Sequence, residues 1–187
     1  IVVDQLVKHY PGVQAVNGIS FEVHEGEIFG LLGPNGAGKT TTLEIIETLR
    51  EKTAGSVRVC GYDVDRDVNE IKQRIGVQLQ AAGYYPSLTL IELLRLFSGL
   101  YNVTIDPMEM LRRVGLEDKG KAKYKELSGG QKQRFSICTT LINRPQVVFL
   151  DEPTTGLDPQ ARRNLWELIR EIRQQGTTVV ITTHYMD

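Results

Sequence analysis

Apolar positions along this chain change period several times, and each change marks an element. Residues 1–27 read as extended, broken by the turn pairs Pro11-Gly12 and Asn17-Gly18. Ile28-Phe29-Gly30-Leu31-Leu32 is a short apolar run of the kind buried in parallel sheets. Past a glycine-rich stretch, Leu43, Ile46 and Leu49 fall on one face of a helix that starts near Gly38. Ser56-Val57-Arg58-Val59-Cys60 alternates, which predicts a half-exposed antiparallel strand.

The second half is more helical. Thr89 followed by Glu92 is a capping box, and Leu90, Leu93, Leu94 and Phe97 then recur at helical spacing. Asp106-Pro107 opens another helix carrying Met108, Leu111 and Val114, with Gly115 as its stop. Ser128 opens a helix with Phe135, Cys138, Leu141 and Ile142 on its apolar face. Val147-Val148-Phe149-Leu150 is a buried-type strand ending in Asp151-Glu152. Asp158-Pro159 starts a helix with Ala161, Leu165, Leu168, Ile169 and Ile172 on one face, stopped by Gly176. A last strand runs from Thr178 to Thr182. Strand, helix and strand in this order predict a right-handed parallel crossover, hence an α/β fold.

Composition narrows the class. The 187 residues suffice for one sizeable core, with 41% apolar and 24% charged residues and a net charge of −1. No overall basic field favours nucleic acid. No apolar run approaches the roughly 20 residues needed to cross a bilayer. Cys60 and Cys138 stand alone, without C-x-x-C spacing, and are expected to be buried reduced thiols. No signal peptide is visible, which fits a cytoplasmic protein. The chain starts at Ile1 without a methionine and stops soon after a strand, so a fragment of a longer reading frame is expected.

Gly33-Pro34-Asn35-Gly36-Ala37-Gly38-Lys39-Thr40 fits G-x-x-x-x-G-K-[ST] without mismatch. Glycines let several backbone N–H groups converge on one anion, and a following helix turns its positive end toward it. Lys39 can reach β- and γ-phosphates, and the Thr40 hydroxyl can bind Mg²⁺. The bland alternative is a glycine-rich turn with a surface lysine. Asp151 and Glu152 follow a buried strand directly, at the edge where open α/β sheets bind ligands. Asp151 is placed to hold Mg²⁺ through water and Glu152 to polarise an attacking water. Otherwise the two are solvated carboxylates at a strand end. Leu127-Ser128-Gly129-Gly130-Gln131 at a helix start is a second anion-binding candidate, or simply a helix cap with a glycine-rich loop.

Together these motifs resemble the ATP-binding subunit of ATP-binding cassette (ABC) proteins, nearly end to end and in the right order. Residues 33–40 match the family's Walker A loop, residues 127–131 its signature, and residues 147–152 its Walker B strand with the catalytic glutamate. Gly156-Leu157-Asp158 resembles the D-loop. The resemblance implies a P-loop NTPase (RecA-like) core with a mainly parallel sheet, an N-terminal antiparallel β subdomain and an inserted helical subdomain. The expected division is residues 1–27 plus 53–62 for the antiparallel part, 28–52 plus 63–82 plus 127–187 for the core, and 83–126 for the helical part.

The same resemblance assigns roles. Asn35, Gly36, Gly38, Lys39, Thr40 and Thr41 would hold ATP phosphates, and Tyr10 would stack on adenine. Thr40, Gln80 and Asp151 would serve Mg²⁺, although Gln78 lies two residues from Gln80 and points the same way on a strand. Glu152, His184 and Gln80 would be catalytic, His184 as a γ-phosphate contact. Ser128, Gly129, Gly130 and Gln131 would reach the ATP of a second ABC subunit packed head to tail, with Asp158 also reaching across. A separate integral-membrane permease is the expected further partner, docked around residues 80–87. Tyr84-Tyr85-Pro86 would be part of that surface, or would pack on its own subdomain.

By this reading the chain is a peripheral protein on the inner face of the cell membrane, powering transport, most simply export. The sequences around Walker A and the D-loop look like the daunorubicin-resistance-like multidrug-export branch (ABC type 2). The competing reading is a non-transport ABC ATPase acting on ribosomes or DNA. Chromosome-maintenance ATPases separate Walker A from Walker B by a long coiled coil, and no sustained heptads lie between Lys39 and Asp151 here. A P-loop kinase or GTPase lacks the signature at residues 127–131.

Overall fold

A computed structural model describes residues 1–78 and 84–183. Its elements are β1 (Val2–Tyr10), β2 (Val13–Glu22), β3 (Ile28–Leu32), α1 (Lys39–Ile46), β4 (Ala54–Val59), β5 (Tyr62–Asp63), α2 (Val68–Lys72) and β6 (Ile75–Val77). Then come α3 (Leu90–Leu100), α4 (Pro107–Arg113), α5 (Gly129–Thr140), β7 (Val147–Asp151), α6 (Pro159–Gln174) and β8 (Thr178–Thr183).

Two sheets form. One is antiparallel, in the order β2-β1-β4-β5; the other runs β3-β8-β7-β6 and is parallel throughout. The expected α/β class with an antiparallel N-terminal part is therefore what folds. Period-two alternation in β7 sends Val147 and Phe149 to one face and Val148 and Leu150 to the other, all four buried. Val147, Phe149 and Val180 join α1, α2 and the antiparallel sheet in one core. Val148, Leu150, Val179 and Ile181 join α3 to α6 in a second. The parallel sheet is thus a wall between two cores, which explains the unbroken apolar runs of residues 147–150 and 179–181 in its two central strands.

Local signals hold where they rest on short-range chemistry. Thr89 and Glu92 form the capping box of α3, and Asp106 caps α4 ahead of Pro107. Phe135, Cys138, Leu141 and Ile142 are buried on α5 and its continuation, as are Leu165, Leu168, Ile169 and Ile172 on α6. Gly176, at φ 94°, follows the end of α6.

Three expectations need correction. Asn17-Gly18 is not a turn but lies inside β2, where Leu6 pairs with Ile19 and Val7 with Asn17. Gly18, at φ 71°, is the extra residue of a β-bulge, a conformation that the same turn-forming chemistry supplies. Leu49 is not on the α1 face. The helix stops at Ile46, Thr48 adopts φ 64°, and Leu49 is left exposed. The apolar run of β3 is not fully buried either: among the described residues β3 pairs with β8 alone, as an edge strand, and Ile28 and Leu32 remain exposed.

Tyr84 and Tyr85 part company. Tyr84 is buried against Phe97, Tyr124 and Phe135, and its hydroxyl shares a 3.2 Å hydrogen bond with that of Thr139. Tyr85 is exposed.

Candidate functional site

The parallel sheet gathers the predicted chemistry at its carboxyl edge. β3 runs into the 33–40 loop, β7 ends in Asp151, and β8 lies between them. In the loop, Gly36 and Gly38 take φ 82° and 85°. Gly38 is also forced by space: a Cβ there would lie 2.2 Å from the Ala15 carbonyl oxygen of β2. So the β1–β2 hairpin is pressed against the loop where it becomes α1. Among the described residues no side chain caps α1, which leaves its first N–H groups without a capping acceptor, the state in which a helix start can receive an anion.

Lys39 is buried to 7% exposure, an unusual state for a lysine. Its Nζ donates to the carbonyls of Gly33 at 2.7 Å and Pro34 at 3.1 Å, and lies 3.9 Å from Glu152 Oε1. The ammonium is held over the cradle made by the loop. Thr40, the next residue, donates its hydroxyl to Asp151 Oδ2 at 3.3 Å. The loop and the 147–152 strand are thereby joined through the side chains expected to share a metal.

Thr182, which motif reading missed, completes the arrangement. It stands opposite Asp151 in the parallel pairing of β7 and β8 and is fully buried. Its hydroxyl donates to Asp151 Oδ1, and its Oγ1 accepts from the Glu152 N–H at 2.9 Å. Glu152 itself adopts φ 48°, rare for a residue with a side chain. The signal for Thr182 was a hydroxyl at the end of an apolar strand, which acquires meaning only once strand register is known.

A cavity of about 220 Å³ beside this centre is lined by Thr40, Glu44, Glu47, Gln78 and Asp151, among others. Glu47 is buried, and its carboxyl is pushed up to about 8, first by burial and then by the negative charges of Asp151 and Glu44. Gln78 is also buried. Its N–H donates to Phe149 O at 2.9 Å, while its Oε1 has no hydrogen-bond partner among the described residues. Gln80 and His184 lie outside the described residues.

The second anion-binding candidate is built as a helix start. Ser128 Oγ accepts from the Gln131 N–H at 3.3 Å, and Gln131 Oε1 accepts from the Ser128 N–H at 2.9 Å. Gly129 and Gly130 are already helical, and a Cβ on Gly130 would sit 3.2 Å from that of Ala161 on α6. Asp158 caps α6, its Oδ1 accepting from Gln160 and Ala161 at 3.0 Å each. These backbone bonds, that from Ala161 foremost, hold its carboxyl below the usual range. Ser128, Gly130, Gln131 and Asp158 share one cavity of about 330 Å³. Among the described residues, that cavity has no lining residue in common with the one at Thr40 and Asp151.

Tyr10, at the end of β1, is half-buried. The Lys8 ammonium and the Arg50 guanidinium stand over its ring, 5.0 and 5.6 Å from the centroid.

Comparison with known proteins decides the family. The sequence profile described as ABC transporter matches residues 16–155. The chain belongs to the ABC transporter family. The cassette is 43% identical over 188 residues to the Nod factor export ATP-binding protein I of Burkholderia pseudomallei, covering 98% of this chain and 62% of that protein. It is 39% identical over 189 residues to the linearmycin resistance ATP-binding protein LnrL of Bacillus subtilis, covering 98% of this chain and 61% of that one. The chain thus spans about three-fifths of the length of these curated relatives. Among solved structures, it resembles a bacterial ABC transporter cassette solved as a dimer, with a TM-score of 0.85 and 30% identity over 98% of this chain and 88% of that one. A dimeric post-hydrolysis cassette bound to ADP and Pi is similar at TM-score 0.85 and 28% identity, over the same shares. Among the described residues, no helix is long and apolar enough to cross a membrane.

Proposed function

We propose that this cassette is the ATP-binding and ATP-hydrolysing subunit of an ABC transporter, working as a pair of subunits packed head to tail around ATP. The observation that carries this reading is the Thr40–Asp151 hydrogen bond at 3.3 Å. It couples the phosphate loop to the carboxylate pair at the end of β7, so phosphate binding and water activation fall in one place.

The donor set suits Mg²⁺. A threonine hydroxyl and one carboxylate are hard oxygen ligands, and such sites take their remaining ligands from substrate phosphates and water. Thr40, Asp151 and Gln80 would hold the ion. When bound, Mg²⁺ neutralises charge on the phosphate oxygens.

The chain's own residues do the rest. The N–H groups of the loop, with Asn35, Gly36, Gly38 and Thr41, receive the phosphates, and Tyr10 stacks on adenine. Lys39 exchanges its carbonyl partners for β- and γ-phosphate oxygens, a stronger charge-assisted contact. Glu152, freed from Lys39, accepts the proton of the attacking water, and His184 contacts the γ-phosphate. Ser128, Gly129, Gly130 and Gln131 address the ATP held by the second subunit, and Asp158 approaches the same interface. That the cavity at Ser128 and Asp158 is separate from the one at Thr40 and Asp151 supports this division of labour between two chains. The three-part organisation fits as well, with residues 83–126 as the helical part facing the permease.

The names of the relatives, an export protein and a resistance protein, support export through a separate integral-membrane permease, with the cassette peripheral on the inner face of the membrane. No role on nucleic acid is expected. Replacing Glu152 by Gln should abolish turnover while ATP-dependent dimers accumulate. Wild-type turnover in that variant would remove Glu152 from the chemistry, and absence of ATP binding by the native protein would remove the whole reading.

A further inference from the structure

Helix α1 connects both ends of the candidate nucleotide site. Its first residue is Lys39, the lysine of the 33–40 loop. Past its last turn, Thr48 at φ 64° folds the chain back, so that the N–H groups of Leu49 and Arg50 both donate to the Glu44 carbonyl, at 2.8 and 3.1 Å. Arg50 Nε then donates to the Glu44 carboxylate at 2.6 Å. Just beyond, Thr53 is stitched to β1: its N–H donates to Val7 O at 2.8 Å, and its Oγ1 accepts from the His9 N–H at 3.0 Å. These bonds deliver the Arg50 guanidinium to the Tyr10 ring.

The Arg50–Glu44 pair is more than a third exposed at the arginine (38%) and 30% exposed at the glutamate, so it adds little to stability. Its consequence is positional. A planar cation on a flexible stem is fixed against an aromatic face, a contact a guanidinium makes well. Lys8, 5.0 Å from the same ring centroid, has no ion-pair partner among the described residues, so its ammonium is not fixed in this way.

We propose that Arg50 is a positioning residue of the base site: held by Glu44, it braces the Tyr10 ring as the surface on which adenine stacks. The proposal rests on the ATP-binding reading above and extends it to a residue outside every phosphate-binding motif. It makes the strength of base binding depend on α1, the same helix that opens at the phosphate loop.

The test compares ATP with inorganic tripolyphosphate, which has no base, in titration calorimetry on the native protein and its variants. Arg50→Ala should weaken ATP binding about three- to tenfold, the range of a partly desolvated cation–π contact, and leave tripolyphosphate unchanged. Glu44→Gln should shift ATP in the same direction by less. In a Tyr10→Ala background, Arg50→Ala should cost nothing further. Equal losses for both ligands, no loss for ATP, or an undiminished loss without Tyr10 would each overturn the proposal. If the native protein binds tripolyphosphate and ATP and only the Arg50 effect is missing, the ATP reading stands and this inference alone falls. If the native protein binds neither, both fall.

Discussion

Thr182 and Asp151 are register partners in adjacent parallel strands, and the threonine hydroxyl donates to the aspartate carboxylate. The same oxygen accepts from the Glu152 backbone N–H, which belongs to a residue at positive φ. One buried side chain therefore orients the carboxylate expected at the metal and the backbone of the carboxylate expected at the water.

Thr182→Val tests this at nearly constant volume. The substitution removes the donor to Asp151 and strands the Glu152 N–H. Stability should fall by about 1–3 kcal/mol, the cost of an unpaired buried group, read as a shift in urea midpoint. ATP turnover should fall by about tenfold or more, while Thr182→Ser, which keeps the hydroxyl, should retain most of both. A valine variant with native turnover would show that Thr182 is only packing.

Gly38 and Gly36 share positive φ but not surroundings. A Cβ at Gly38 would meet the Ala15 carbonyl at 2.2 Å, whereas a Cβ at Gly36 meets nothing within 4 Å. Gly36→Ala should therefore cost only the left-handed strain of about 1–2 kcal/mol, with ATP binding weakened modestly. Gly38→Ala must also push β2 away from the loop, so it should lose more stability and measurable ATP affinity together. Equal denaturation curves for the two variants would mean that the contact between hairpin and loop is not what fixes Gly38.

Much of this was readable along the chain, and the reason is range. The order of polar groups in residues 33–40 and the caps at Thr89, Asp106, Ser128 and Asp158 depend on neighbours within a few residues, so sequence shows them directly. Thr182 did not show, because its role exists only through the register of β8 against β7. Arg50 did not show either. It reaches Tyr10 because Thr48 takes a left-handed conformation, and nothing about a threonine announces that. The Asn17-Gly18 pair misled for the opposite reason: turn and bulge use the same positive-φ chemistry, and only the partner strand decides between them.

Glu47 should give the folded protein a distinctive pH dependence. Burial and two neighbouring carboxylates raise its carboxyl from an ordinary 4.5 to about 8. The folded state then holds this proton more tightly than the unfolded chain. Below about pH 4.5 both states are protonated and the group contributes no difference. As pH rises from there toward 8 the unfolded chain ionises first, so stability declines, and the decline levels off above the folded value. The full effect is on the order of a few kcal/mol at most. Glu47→Gln cannot ionise and should remove this component, narrowing or reversing the gap to wild type above pH 8 in a pH series of urea midpoints. Parallel curves for the two proteins would show that Glu47 is solvated and ordinary.

Ser128 has two possible duties, and one substitution separates them. As the cap of α5 it supplies an oxygen to the Gln131 N–H; as a signature residue it would meet the γ-phosphate held by the second subunit. Ser128→Ala removes both oxygen roles and should cost about 1 kcal/mol of stability along with ATP-driven dimerisation. Aspartate caps a helix as well as serine does, so Ser128→Asp should leave stability within about 0.5 kcal/mol of wild type. Its carboxylate would nevertheless face a triphosphate across the interface, where like charges repel at low dielectric. Dimers formed with ATP in the hydrolysis-impaired Glu152→Gln background, measured by light scattering after size exclusion, should therefore vanish for Ser128→Asp although the fold is intact. Stable ATP-dependent dimers carrying aspartate at this position would mean that Ser128 caps α5 and nothing more, and that the second subunit grips the nucleotide through some other surface.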